Sequence, residues 1–207
     1  MLRARAVADD AKTQIRKHFV IVQLTLLSIV VALILENLLS SLRDNNPISL
    51  DSIEGWIALL EVALVLLSAL ATYAGFTLSL SFPQKRPQVI DFLMPFGLLI
   101  SMQIAIGFLM PGAVHYFLLA MGSASLIAGL QLISDWRLVM ATSERPSGAG
   151  VPALLQMSIA LWDWLGAWLI YVDLISLPGA LAFVAVAVVV QLIGVSDTLR
   201  GWITSTR

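Results

Sequence analysis

Six apolar stretches, most of them about 20 residues or longer, take up most of this 207-residue sequence. They fall at 19–40, 56–82, 89–110, 113–136, 151–174 and 180–200. A hydrocarbon core of about 30 Å needs roughly 20 residues of helix to cross it. The stretches run without the alternation of a membrane β-strand, which argues against a barrel. The pattern predicts an all-α polytopic integral membrane protein with six transmembrane helices, arranged as three antiparallel hairpins.

Charge orients the six spans. With the N-terminus in the cytoplasm, Arg3, Arg5, Lys12, Arg16, Lys17, Lys85, Arg86, Arg137, Arg145, Arg200 and Arg207 all fall inside, and only Arg43 is left outside. By the positive-inside rule this predicts both termini cytoplasmic, in a plasma membrane of the bacterial inner-membrane kind. The organisation expected is a cytoplasmic polar segment at 1–16, a membrane domain at 17–202 and a tail at 203–207. The polar segment is helix-compatible and is expected to prolong the first helix or to lie on the anionic inner leaflet. The first span has no small-residue cleavage pattern behind it and reads as a retained signal-anchor.

Proline and aromatic placement agree with these limits. Seven of the eight prolines lie in or beside proposed loops, where a missing N–H costs little. Pro95 is the exception: inside the third span it cannot bond the carbonyl of Asp91 and is expected to kink the helix. Pro111-Gly112 and Pro178-Gly179 are expected to make tight outer turns. Trp56, Tyr116 and Tyr171 fall at the outer interface, and Trp136 and Trp202 at the inner one. A faint echo between Gln131-Leu132-Ile133 and Gln191-Leu192-Ile193 raises the idea of a hairpin repeated three times.

Composition closes several routes. At 59% hydrophobic and 12% charged the chain is not a soluble domain, whose charged share is about twice as large. A net charge of −1 offers no basic face for nucleic acid. With no Cys, disulfides, thiol nucleophiles and thiolate-held metals are excluded. His18 and His115 are too few and too far apart to suggest a metal site. No activated nucleophile, metal motif or phosphate loop occurs, so the expectation is a non-enzyme without a cofactor.

What remains is the polar content of the spans. A central Asp costs about 2.5–3.5 kcal/mol on insertion scales, so intramembrane acids are functional candidates by default. Glu36, Glu61 and Asp163 are the three, with Asp163 placed near the midplane between Trp162 and Trp164. Helical spacing groups Thr25, Ser28, Ala32, Glu36 and Ser40 on one face of the first span. It groups Glu61, Val65, Ser68, Thr72, Gly75 and Ser79 on one face of the second. Gln156, Ala160, Asp163 and Gly166 or Ala167 do the same on the fifth; Gln103 and Gln191 lie within the third and sixth, and His115 opens the fourth. Such stripes also serve simply as packing surfaces, since small and hydroxylated residues let membrane helices approach. Asp91, Asp135, Asp173 and Asp197 sit at span ends and read as solvated boundary residues.

No basic residue occurs at membrane depth. Deep carboxyls without a cation stand neutral, face water or await a bound cation, and each case suits a proton or cation route better than an anion site. The leading expectation is a small channel or transporter, homo-oligomeric or with a membrane-protein partner, that passes protons or monovalent cations across the lipid bilayer. Its pathway residues would be Glu36, Glu61, Asp163, Ser68, Thr72, Gln103, His115 and Gln191. The alternative is a non-catalytic scaffold or accessory subunit that docks another membrane protein through the same stripes.

Overall fold

The structure, a computed structural model, describes residues 2–45, 47–81, 89–110, 112–141 and 150–205. The expected connections around Lys85-Arg86 and Glu144-Arg145 lie outside the described residues, as do Pro111 and the side chains of Trp136 and Trp202. The described residues are all-helical: α1 Leu2–Asn45, α2 Ile53–Ser81, α3 Val89–Gly107, α4 Val114–Ala141, α5 Gly150–Tyr171 and α6 Leu177–Ser205. Five of the six carry stretches long and apolar enough to cross a membrane, which indicates a membrane protein. The exception is α3, whose apolar part is the shorter Leu93–Gly107.

Local chemistry sets the helix ends. The Ser52 hydroxyl accepts a hydrogen bond from the backbone N–H of Gly55 at 3.1 Å, capping the start of α2. The end of α5 closes with the N–H of Leu174 on the carbonyl of Leu169 and the N–H of Asp173 on that of Ile170. This is a Schellman closure, with Asp173 in the left-handed region at φ 55° where glycine is more usual. The α5–α6 turn is therefore made by residues 172–176. Pro178 and Gly179, expected to form it, belong to the first turn of α6, where a missing N–H is tolerated. Between α3 and α4 the expected turn holds at Gly112, with φ 86°.

The helices pack as a closed ring in the order α1, α3, α4, α5, α6, α2 and back to α1, with α2 also touching α4 across the middle. Directions follow from side-chain bridges. Gln23 meets Asp91 and Asn37 meets Gln103, so α1 and α3 run parallel. Gln131 reaches Asp91, making α4 antiparallel to α3, and Trp164 reaches Leu119, making α5 antiparallel to α4. Hairpins α3–α4 and α5–α6 are packed as expected, but α1–α2 is the loosest contact of the ring. In its place α2 lies along α6, and α1 along α3. Three equivalent hairpins in sequence order would have set α2 against α3 instead.

Small residues decide the tight interfaces. A Cβ on Gly122 would stand 2.5 Å from the Trp164 ring, and one on Gly166 would stand 2.4 Å from the Phe183 ring. These gaps let large aromatics of neighbouring helices lie against bare backbone, the packing that replaces a hydrophobic force in lipid. Inside the ring an apolar cluster runs through every described layer, including Leu27, Ile34, Val65, Leu98, Met102, Phe117, Leu118 and Met121. Large apolar side chains such as Ile21, Leu70, Ile100, Leu161 and Val189 are exposed on the outer surface, as lipid contact requires.

Candidate functional site

Among the described residues, nine buried polar side chains interrupt the apolar interior, and every helix supplies at least one: Gln23 of α1, Glu61 and Ser68 of α2, Asp91 and Ser101 of α3, Ser125 and Gln131 of α4, Asp163 of α5, and Gln191 of α6. They divide into groups that have hydrogen-bond partners and groups that do not.

Asp163 and Glu61 lead the second set. On α5 the buried positions are Ala153, Ile159, Ala160, Asp163 and Ala167, and Asp163 lies at the centre of that arc. Its exposure is 1%, and neither carboxyl oxygen has a hydrogen-bond partner among the described residues. The flanking tryptophans do not help it. Trp162 donates its ring N–H to the Phe183 carbonyl at 3.2 Å and stacks on the Phe183 ring at 4.1 Å, tying α5 to α6. Trp164 donates to the Leu119 carbonyl at 3.3 Å, tying α5 to α4. Asp163 is left between those two seams, facing the ring interior.

Glu61 occupies the matching position on α2, amid buried Ile57, Leu64, Val65 and Ser68. It is 2% exposed, and its Oε1 has no partner among the described residues. Both acids lie eight residues from the same end of the bundle, Glu61 from the start of α2 and Asp163 from the end of α5. At 1.5 Å per residue both are about 12 Å deep. Gln191, 2% exposed, sits on the buried face of α6 with Val184, Ala187 and Val195. Its Oε1 also lacks a partner among the described residues. Counted from Leu177 it is about 21 Å from that end, a layer deeper than the acids.

A second polar group closes on itself nearer the other end. Pro95 has no N–H, so the carbonyl of Asp91 loses its helical partner. The Gln23 side-chain amide supplies the missing donor from α1, at 2.9 Å. Gln131 of α4 donates to the Asp91 carboxyl at 2.7 Å. Asp91 is therefore 2% exposed and locked among three helices, where its position near a span end had implied solvation. Gln23 carried no signal beyond being a lone amide in an apolar run. Only its distance in space from Pro95, and not in sequence, gives it a role.

The remaining expected residues separate. Ser68 is buried and Thr72 half-buried on the Glu61 face of α2, so that stripe does point inward. The α1 stripe does not: Thr25, Ser28, Ala32, Glu36 and Ser40 are all exposed. Thr25 and Ser28 return their hydroxyls to the carbonyls of Ile21 and Leu24. Glu36 is thus not brought together with Glu61 and Asp163, because α1 turns Leu27, Val30, Ile34 and Leu38 inward instead. Gln103 lies on the α1–α3 seam, accepting from Asn37 and donating to the Leu33 carbonyl, so both ends of its amide are engaged in joining helices. His115 stands at the turn end of α4 with Tyr116 and Tyr171, ring centroids 4.0 and 5.9 Å away. Asp173 and Asp197 are exposed, as expected of boundary residues. The Asp135 side chain lies outside the described residues.

Family models, curated proteins and solved structures were compared with the chain, and none matches it.

Proposed function

We propose that this protein is a small membrane transporter or channel that passes protons or monovalent cations through the interior of its helix ring, with Glu61 and Asp163 as the groups that receive them. The observation that carries the reading is the pair of buried, unpartnered carboxyls at one depth on inward faces of α2 and α5. A buried acid without a partner costs stability, and membrane proteins that retain one do so for a moving charge more readily than for packing. Ser68 and Gln191 lie on the same inward surface and extend polarity below the acids. In this reading all six helices span the bilayer of a bacterial inner membrane, with both termini cytoplasmic as the Lys and Arg distribution favours.

The test is reconstitution into liposomes with separate proton, sodium and potassium gradients. Wild-type protein is expected to dissipate at least one. Glu61→Gln and Asp163→Asn are expected to slow that flux while eluting as folded protein, and Glu36→Gln is expected to leave it unchanged. A wild-type protein that disturbs none of the three gradients removes the proposal.

The scaffold reading keeps one supporting observation, the outward stripe of α1 with Glu36 in it, which suits a contact with another membrane protein or a second copy. Purification in mild detergent separates the readings. A foreign subunit recovered in fixed proportion favours the scaffold, and a homogeneous species of this chain alone favours transport.

A further inference from the structure

Resting on the transport reading above, we infer that the species carried is the proton itself, borne on the carboxyls of Asp163 and Glu61, and not a metal ion. Three observations lead there.

The first is the ligand set. Hard metal cations take about six or more oxygen ligands. Among the described residues no group of three or more His, Cys, Asp or Glu side chains is gathered to hold one. The two acids stand on α2 and α5, which are separated in the ring by α6, and Gln191 is a layer deeper. Neither carboxyl belongs to such a group.

The second is the surroundings. Between the acids and the near end of the bundle lie Ile57, Leu109, Phe117 and Leu118, each at most 2% exposed. The contact of α2 with α4 pinches the middle of the ring. A metal ion held among these layers would carry its full charge into apolar surroundings, whereas a proton bound to a carboxylate gives a neutral carboxyl. Among the described residues, charged and titratable neighbours are scarce. On the helices packed against α5, the described part of α4 has His115 and Tyr116 at one end, and α6 has Asp197 and Arg200 exposed at the other. On α1, which joins α6 and α4 in contacting α2, Glu36, Arg43, Asp44 and His18 are all exposed.

The third observation is independent of the acids. Gln191 is as buried as they are, and its unpartnered atom is also an oxygen. Among the described residues this acceptor can take a hydrogen bond from an O–H, the group a protonated carboxyl presents. The step balances simply. A hydronium proton forms an O–H bond with a carboxylate oxygen and leaves water; that bond breaks when the proton passes to an acceptor toward the other side. No oxidant or reductant enters.

The experiment uses proteoliposomes with a trapped pH dye and, in parallel, sodium- and potassium-loaded vesicles. Wild-type protein is expected to collapse a pH gradient at a rate unchanged when sodium is replaced by choline. Asp163→Asn is expected to fall to the rate of protein-free vesicles, and Asp163→Glu to retain flux. Dicyclohexylcarbodiimide, applied to folded Glu36→Gln protein, is expected to stop the flux and to be found by mass spectrometry on Asp163 or Glu61; this arm holds even where an Asp163 variant does not fold. Sodium or potassium flux equal to or above proton flux overturns the inference and leaves the broader transport reading standing. Full proton flux in both Asp163→Asn and the carbodiimide-treated protein overturns the inference and also removes the two acids from the transport reading. Absence of every flux overturns both.

Discussion

Helices α1 and α2 follow one another in the chain, and each carries a glutamate on a stripe of small and hydroxylated residues, yet they use those stripes in opposite ways. On α2 the stripe is the buried face: Glu61 and Ser68 point into the ring. On α1 it is the outer face, and Thr25, Ser28 and Glu36 are exposed while Leu27, Val30, Ile34 and Leu38 pack inward. In water a polar stripe marks the solvent side of a helix. In lipid both faces are apolar enough to be stable, so a few hydroxyls that satisfy themselves on their own carbonyls do not dictate which way the helix turns. Bulk decides instead. The large aliphatic residues of α1 pack inward, with α3 beside them, whereas α2 lies along α6.

The contrast is sharpest if the buried acid is removed altogether. Replacing Asp163 by Leu, or Glu61 by Met, exchanges an unpartnered buried carboxyl for an apolar side chain of related size. Each is expected to abolish flux and, at the same time, to raise unfolding stability by about 1–3 kcal/mol. Glu36→Leu is expected to leave flux as it was and change stability little. A detergent thermal-melt series alongside the flux assay checks this, and loss of stability at Asp163 or Glu61 would mean that those acids are structural.

A smaller effect is expected where a buried polar group does have its partner. Gln23→Leu leaves the Asp91 carbonyl without a donor and is expected to cost about 1–2 kcal/mol. In a Pro95→Ala background the same change should cost less, because the backbone N–H restored by that substitution can take the Asp91 carbonyl along the helix. A double-mutant cycle in denaturant reads the coupling, and strict additivity would remove the proline-rescue account of Gln23. Smallest of all is Gln103→Leu on the exposed α1–α3 seam. Losing its link to Asn37 is expected to cost about 0.6 kcal/mol, with flux unaffected; a transport defect there would return Gln103 to the pathway.

Much of the site was legible in one dimension and some was not. Asp163 could be singled out because an acid between two tryptophans in a long apolar run has few structural excuses, and its burial on the inner face of α5 agrees. Glu61 was equally visible. Glu36 looked the same as Glu61 by spacing and differs only by the rotation of its helix. Asp91 lies near a span end, a position that suggests solvation, yet it is buried. Its burial depends on Pro95 freeing a carbonyl and on two amides, 68 and 40 residues away in sequence, arriving to meet it.

Length and hydropathy were enough to determine an all-helical membrane chain, the approximate limits of its helices and the small set of acids within them, because crossing hydrocarbon demands about 20 apolar residues and penalises every exception. Neighbour relations were another matter. That α2 leaves its hairpin partner for α6, that α1 lies along α3, and that one glutamate faces inward and the other out were settled by side-chain volume at the interfaces. Lipid offers a helix little reason to prefer one face, so that choice is made only when the six pack together.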